Sequence, residues 1–331
     1  MLLETGYDFV RNVIIDTTTS ISAQESVFTP KHMKRALCTG GRGFIGSHLV
    51  KRLEELGWDV LIMDLPHDVT QKTDWEIFLP QVDYVFHLAG HLDNYYQGGD
   101  KADFASYLDV NAKSVALMFE VIVEKQLPIK KIVVASSQSV YGEGNYKNGS
   151  PLEEKEHDLP QPISAYGASK VAMESMLFSL GKLFKIPVVA LRYSIVLGTG
   201  QKFKDVDSGA LRSFVEMARS GEVVTHEDGL QLRDFVNIDD VIEAHIVVAT
   251  NSKADYEVFN VGAGKSIEVM ELAKYVADKF WVGARAGGKK RFCTARHSLM
   301  NIDKLKSLGW EPKHTWREAV DEYIRGVVSS A

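Results

Sequence analysis

Residues 38–49 read CTGGRGFIGSHL, and the spacing of three glycines in that stretch decides the fold. Gly40, Gly43 and Gly46 follow the apolar run ALCT (36–39) and open an amphipathic segment that reaches Leu56. A G-x-x-G-x-x-G pattern between a strand and a helix allows a tight turn, lets a pyrophosphate approach bare backbone, and lets helix and strand pack closely. The free N–H groups and positive dipole end of the helix then face the phosphates, with Phe44 and Ile45 in its first turn.

Outward from the turn, VLIMDLP (60–66) ends its apolar run at Asp64, eighteen residues after Gly46. A carboxylate about twenty residues beyond the last glycine suits the adenosine ribose hydroxyls and repels a 2′-phosphate, so NAD is expected over NADP. Short apolar runs then alternate with longer amphipathic ones. DVLIMD and YVFHLAG (84–90) are followed by a predicted helix near Phe104 to Lys125. IKKIVVASS (129–137), a predicted helix near Ala165 to Leu183 and PVVALRY (187–193) continue the series. Strand and helix in alternation predict an α/β fold, a doubly wound parallel sheet of Rossmann type. After Val196 the rhythm loosens, predicting a smaller C-terminal substrate-binding lobe. The expected organisation is an N-terminal extension at 1–32, polar in DTTTSISAQES, then a dinucleotide-binding domain at 33–195. A lobe at 196–331 follows, with segments near 234–262 returning to the first domain.

Composition narrows the function classes. Lys and Arg total 38 against 44 Asp and Glu, a formal net charge of −6, with no basic block to serve as a nucleic-acid footprint. Cys38 and Cys293 are too few for a disulfide framework and lack metal-site spacing, so no metal is expected. No apolar run approaches a membrane span, and Glu4 and Asp8 stand where a signal peptide would be basic. The expectation is a soluble, cytoplasmic protein that handles small molecules.

Chemistry enters at AYGASK (165–170). On a helix Tyr166 and Lys170 are i and i+4, stacked on one face. A free tyrosine, with a pKa of about 10, is a poor base near neutrality, but an adjacent ammonium favours its phenolate. Tyr166 could then take a proton from a substrate hydroxyl while the carbon gives hydride to nicotinamide, with Lys170 holding the nicotinamide ribose. A second hydrogen bond to the same oxygen calls for a short hydroxyl at a neighbouring strand end, and ASSQSVYG (135–142) offers Ser136, Ser137 and Ser139.

Eight segments in order, TGGRGFIGSHL, VFHLAG, ASSQSVYG, YGASK, LRYSIVLGTGQ, DGLQLRDFVNIDD, FNVGAG and KLKSLGWEP, resemble the extended short-chain dehydrogenase/reductases, the NAD-dependent nucleotide-sugar epimerase/dehydratase group. The resemblance spans residues 34 to 325. It implies that Ser137, four residues before Tyr141, contacts the reacting oxygen. It implies further that Asp68 and Val69 of HDVT hold adenine and that Leu88, Ala89 and Gly90 line the dinucleotide through backbone, beside a packed His87. Tyr193 completes the cofactor set. By the same resemblance Arg233 of RDF and Arg291 of RFCTARHS bind a diphosphate, with Arg296 next in line, and Gln138 and Ser139 touch the substrate. Two departures, Cys293-Thr294 for the usual Gly-Asp and Ile195 for an asparagine, bear on the sugar nucleotide and not on NAD.

Dehydratases of the group follow the catalytic hydroxyl residue with Asp-Glu, and decarboxylating members keep a glutamate there; here Gln138 and Ser139 follow Ser137. Neither supplies an ionisable group at the neighbouring carbon. The expected reaction is therefore nucleotide-sugar epimerisation at the fourth carbon, by oxidation to a 4-keto sugar and hydride return. The alternatives are a nucleotide-sugar ketoreductase or an NAD-dependent dehydrogenase of another alcohol; a catalytically idle dinucleotide sensor would be expected to have lost the Tyr-Lys pair. The resemblance also implies a homodimer, built on the helices near 104–125 and 165–183.

Overall fold

The computed structural model of the protein describes residues 33–92, 104–147, 149–201, 210–288 and 295–329. β1 (Arg35–Thr39), α1 (Phe44–Glu55), β2 (Asp59–Met63), α2 (Lys72–Phe78) and β3 (Tyr84–His87) come first. α3 (Phe104–Tyr107) runs through a π-helical turn (Leu108–Lys113) into α4 (Ser114–Glu124). β4 (Lys131–Ser137), the small hairpin β5 (Tyr146–Lys147) and β6 (Ser150–Pro151), α5 (Ala165–Phe184) and β7 (Val188–Tyr193) follow. Then come β8 (Ile195–Leu197), α6 (Ala210–Arg219), β9 (Glu222–His226), β10 (Leu232–Asn237), α7 (Ile238–Thr250) and β11 (Glu257–Val261). β12 (Ser266–Glu268), α8 (Val269–Lys279), β13 (Gly283–Gly288), α9 (Asp303–Lys306) and α10 (Trp316–Ser329) complete the described chain.

Six strands form one sheet in the order β11-β7-β4-β3-β1-β2, every pair parallel. The chain winds outward in both directions from β1 and β3, which makes their carboxyl ends the switch point where open α/β sheets bind ligands. Side-chain alternation explains why the strands read as unbroken apolar runs. Ala36, Cys38, Val133, Ala135, Val189 and Leu191 enter one core with α1 and α7. Leu37, Ile132, Val134, Val188 and Ala190 enter the opposite one with α2, α4 and α5. Both faces are covered, as a parallel sheet requires.

A third apolar cluster binds α6, α8 and α10 through Phe214, Leu272, Val276, Trp316 and Val320. It lies beside the three-stranded sheet β12-β10-β8 and the pair β13-β9. The chain returns to the large sheet after β10, where α7 packs on α1 and β11 pairs with β7.

Two elements depart from the sequence reading. α2 was not anticipated; fully buried Trp75 anchors it, its Nε1 donating to the Val69 carbonyl at 2.8 Å. The helix expected near 104–125 is broken by the π-helical turn. Its cause is visible: Asn111, with no exposed surface, bonds sideways to the chain at His91 and to Ser169 of α5. Among the described residues no helix is long and apolar enough to cross a membrane, and no cluster of three or more His, Cys, Asp or Glu could hold a metal.

Candidate active site

At the carboxyl end of β1 the chain turns through Gly40, whose φ is +67°, in the left-handed region that favours glycine. A Cβ at Gly46 would lie 2.1 Å from the Gly40 carbonyl oxygen, so only glycine lets α1 start so close to β1. No side chain caps α1 at Gly43, and its first N–H groups face a cleft of about 800 Å³.

At one end of this cleft Asp64 accepts the backbone N–H groups of Arg42 and Leu65, each at 2.8 Å. Its carboxylate oxygens keep further acceptor sites for a ribose diol. Asp68 and Val69 lie on the same end, in a loop braced by Asp74, whose Oδ2 accepts the Asp68 N–H at 2.7 Å. That bond is the largest cause holding the Asp74 carboxyl below its ordinary range.

The middle of the cleft is backbone. Leu88 and Ala89 donate to the carbonyl and hydroxyl of Thr39 at 3.2 and 3.1 Å. Because the Ser114 hydroxyl gives its own proton away, His87 Nε2–H donates to Ser114 Oγ at 3.0 Å, which leaves Nδ1 to accept the Thr39 hydroxyl at 2.8 Å. Ser114 in turn donates to the Val110 carbonyl at 2.6 Å. His87 is thus a packed, neutral residue, pushed down to about 3 by burial with the Lys170 charge adding to it.

At the other end β4 delivers Ser136 and Ser137, the turn after it carries Ser139, and the three diverge. Ser136 turns inward and donates to Glu174 Oε1 at 2.5 Å. Ser137 faces the cleft, donating to Ser139 Oγ at 3.1 Å and accepting the Ser139 N–H at the same distance. Gln138 meets Ser298 through its side-chain oxygen. Opposite stands α5, capped by Ser164, which accepts the Gly167 N–H at 3.0 Å and so sets Tyr166 in the first turn. A Cβ at Gly167 would strike the Ser139 carbonyl at 2.4 Å, so the helix start is pressed onto the serine loop. One turn on, buried Lys170 donates to the Ala135 carbonyl at 2.8 Å, and its Nζ lies 5.7 Å from the Tyr166 ring centre. Burial pushes its ammonium down to about 8, against the attraction of Glu174. Below that pH its charge favours the neighbouring phenolate.

The structure gathers Gly40, Gly43, Phe44, Ile45 and Gly46 with Asp64, Asp68 and Val69 around this one cleft. Leu88, Ala89, Gly90, Ser137, Gln138, Ser139, Tyr166, Lys170 and Tyr193 complete the gathering. The residues fit a dinucleotide: diol acceptor at one end, uncapped helix start in the middle, Tyr-Lys pair at the other. The hydroxyl of Tyr193 is taken up inside the protein. His245 Nδ1 donates to the Val241 carbonyl at 2.9 Å, leaving Nε2 to accept the Tyr193 hydroxyl at 2.7 Å.

Arg233 lies elsewhere. Its guanidinium donates to the Leu232 and Ala295 carbonyls at 2.8 and 2.6 Å, in the wall of a smaller cavity that shares Gln138 and Ser139 with the cleft. Arg296 lines neither space; it pairs with Asp228 at 2.6 and 2.9 Å. Arg291, Cys293 and Thr294 lie outside the described residues. Sequence reading passed over Asn111, Glu174, Arg192, Glu154 and His297. Of these only Glu174 carries a local signal, being i+4 from Lys170.

Comparison with known proteins agrees with this geometry. Residues 36–262 match the model of the NAD dependent epimerase/dehydratase family. The dTDP-L-rhamnose 4-epimerase of Burkholderia thailandensis is 26% identical, over 87% of this chain and 93% of that protein. The UDP-glucose 4-epimerase of Lactobacillus helveticus is 28% identical, over 88% of this chain and 94% of that protein. Among solved structures, MoeE5 in complex with UDP-glucuronic acid and NAD superposes with a TM-score of 0.79 at 28% identity, covering 90% of this chain and 100% of that one.

Proposed function

The chain belongs to the NAD-dependent epimerase/dehydratase family, an enzyme family whose cofactor is NAD, and on that premise we propose that it is a nucleotide-sugar 4-epimerase. Bound NAD supplies the hydride acceptor and donor. Tyr166, as phenolate, takes the proton of the sugar 4-hydroxyl and returns it from the same position. Ser137 donates a hydrogen bond to that oxygen, and the Lys170 ammonium favours the phenolate and holds the nicotinamide ribose. Asp64 takes the adenosine ribose hydroxyls. Arg233 and Arg291 are the proposed diphosphate ligands.

One observation carries the reading. The cleft's carboxylates, Asp64 and Asp68, stand at the adenosine end, while the Tyr166 end presents Ser137, Gln138 and Ser139, with the Gln138 oxygen engaged by Ser298. Removing water or carbon dioxide needs an ionisable group at the carbon next to the oxidised one, and an amide does not serve. Hydride out and hydride back does not need one. Ile195, which lines the cleft where related chains carry asparagine, favours the second reading, a ketoreductase or a dehydrogenase of another alcohol.

The substrate proposed is a nucleotide-diphosphate sugar, UDP-sugars first because MoeE5 is seen with UDP-glucuronic acid. A homodimer is proposed on α3, α4 and α5, where Phe104, Leu108, Met176 and Leu183 are exposed, and a cytoplasmic location with it. The test is a proton NMR time course with NAD and UDP-, dTDP-, GDP- and CDP-sugars, with NADH absorbance read in parallel. A new anomeric signal without accumulating NADH is expected. Stoichiometric NADH would overturn the epimerase in favour of a dehydrogenase, and turnover of 4-keto sugars with added NADH alone would make it a reductase.

A further inference from the structure

The stripe that carries Tyr166 and Lys170 on α5 continues to Glu174, and the three residues meet the end of β4 in succession. Lys170 holds the Ala135 carbonyl and Glu174 holds the Ser136 hydroxyl. In the sheet Ser136 pairs with Arg192 of β7, and Arg192 closes a two-pronged contact on Glu174, Nε to Oε1 at 2.9 Å and Nη2 to Oε2 at 2.7 Å. Its remaining nitrogen donates to the Tyr141 hydroxyl at 2.9 Å and the Glu156 carbonyl at 3.3 Å, and Tyr141 donates to Asn260 at 2.6 Å. The side chains of Arg192 and Glu174 are 5% and 8% exposed, and neither lines the cleft.

A buried ion pair is a poor way to gain stability, since apolar residues of like volume usually do as well. Its place gives it another use. Among the described residues no carboxylate hydrogen-bonds Lys170, and Glu174 is the opposite charge that acts on it. The titratable groups packed in the core beside the pair stay neutral, and the charged groups of the cleft, Arg42, Asp64 and Asp68, stand at its other end. His87 on β3 is neutral by burial, and Tyr193 on β7 and Tyr141 after β4 are pushed up by it. Cys38 on β1 is pushed up to about 12. Glu156 faces the far side of Arg192, its Oε1 accepting the Asn260 N–H at 3.0 Å.

Resting on the reading of Tyr166 and Lys170 given above, we propose that Glu174 and Arg192 are positioning residues for the catalytic pair: the dipole of their ion pair, negative end toward Lys170, sets the charge balance under which Tyr166 gives up and regains its proton. Removing the Glu174 charge leaves a bare cation behind Lys170, which lowers the pH at which Tyr166 and Lys170 release protons. Removing the Arg192 charge leaves a bare anion and raises it. Removing both restores a nearly neutral background. A purely structural role would impair all three variants without moving the titrations in opposite directions.

The test reads Tyr166 directly, independent of any substrate. The ultraviolet phenolate signal is titrated in wild type, Glu174→Gln, Arg192→Met and the double variant, each against the same protein carrying Tyr166→Phe, with circular dichroism to establish folding. The expected midpoint moves down by about one pH unit in Glu174→Gln, up in Arg192→Met, and back near wild type in the double variant. Midpoints that stay fixed, or that move the same way in both single variants, overturn the proposal. Should Arg192→Met not fold, Glu174→Asp decides: it keeps the charge and is expected to keep the wild-type midpoint that Glu174→Gln loses, and equal midpoints overturn the assignment.

Discussion

The Nζ of Lys170 donates to the carbonyl of Ala135 at 2.8 Å, fixing the lysine one turn beyond Tyr166 inside the protein. Its folded pKa, about 8, lies below the ordinary lysine value. The unfolded chain therefore binds more protons between about 8 and 10, so burial of this charge costs stability below pH 8 and the cost is relieved as pH rises. Lys170→Met is expected to lose at least about a hundredfold in turnover while melting no lower than wild type at neutral pH. Wild-type activity is expected to decline as pH rises through 8. A pH–rate profile and a thermal melt check both.

Tyr166→Phe removes one oxygen and leaves the Ser164 cap and the Lys170 contact with Ala135 in place. NAD affinity is expected to change less than threefold, and turnover to fall by roughly a hundred- to ten-thousandfold. Calorimetric titration with NAD beside the rate assay separates the two effects; near-wild-type turnover would remove Tyr166 from its role.

Gly46→Ala forces a methyl to within 2.1 Å of the Gly40 carbonyl oxygen, and backbone on both sides has no slack. The expected result is a lower melting temperature and at least tenfold weaker NAD binding. Gly283→Ala is the control, since a Cβ there meets nothing within 4 Å.

Glu154 is almost fully buried and its carboxyl is pushed up to about 8 by burial, with Asp234 adding to it. The folded protein thus binds the extra proton, and stability is lost as pH rises from the unfolded value near 4 through about 8. His87 and His245 act in the opposite sense: burial lowers them to about 3 and about 4, so stability is lost as pH falls below their unfolded value near 6.5. Between pH 6.5 and 8 the Glu154 effect stands apart from both histidines. Denaturant unfolding is expected to show wild type losing about 2 kcal/mol more than Glu154→Gln across that window, the contribution of His314, held up against burial by Asp240, being common to both.

Asn111→Ala removes the bonds to the His91 backbone at 2.8 and 3.1 Å and to Ser169 at 2.8 Å. The segment at Gly90 to Leu92 is expected to exchange its amide hydrogens faster, with NAD bound more weakly. Hydrogen exchange by mass spectrometry reads the first and titration the second.

The order of strands and helices up to β7, α2 apart, was legible because it rests on short-range rules: apolar runs for strands buried on both faces, glycines where backbone touches backbone, and a helix-period stripe near 165–183. The same holds for Gly40, Gly43, Gly46 and Asp64 at the cofactor end of the cleft, whereas Asp68, Val69 and Leu88 to Gly90 came from the family resemblance. Asn111 escaped because a polar residue inside an apolar helix looks like surface until the partner helix is in place. Arg233 and Arg296 share an ordinary sequence context, yet one walls a cavity and the other pairs with Asp228 at the surface.

By itself the sequence determined the fold, the glycine turn, the Asp64 end and the Tyr166–Lys170 spacing, since each is a relation between residues near in the chain or repeated with a fixed period. Only the tertiary structure decided that the Ser136 hydroxyl is spent on Glu174 while that of Ser137 is spent on Ser139, where Gln138 is held, and that Glu174 and Arg192 neutralise each other beside Lys170. Those depend on the register of β4 against β7 and on the approach of the C-terminal lobe, which join residues far apart in sequence and leave no periodic trace.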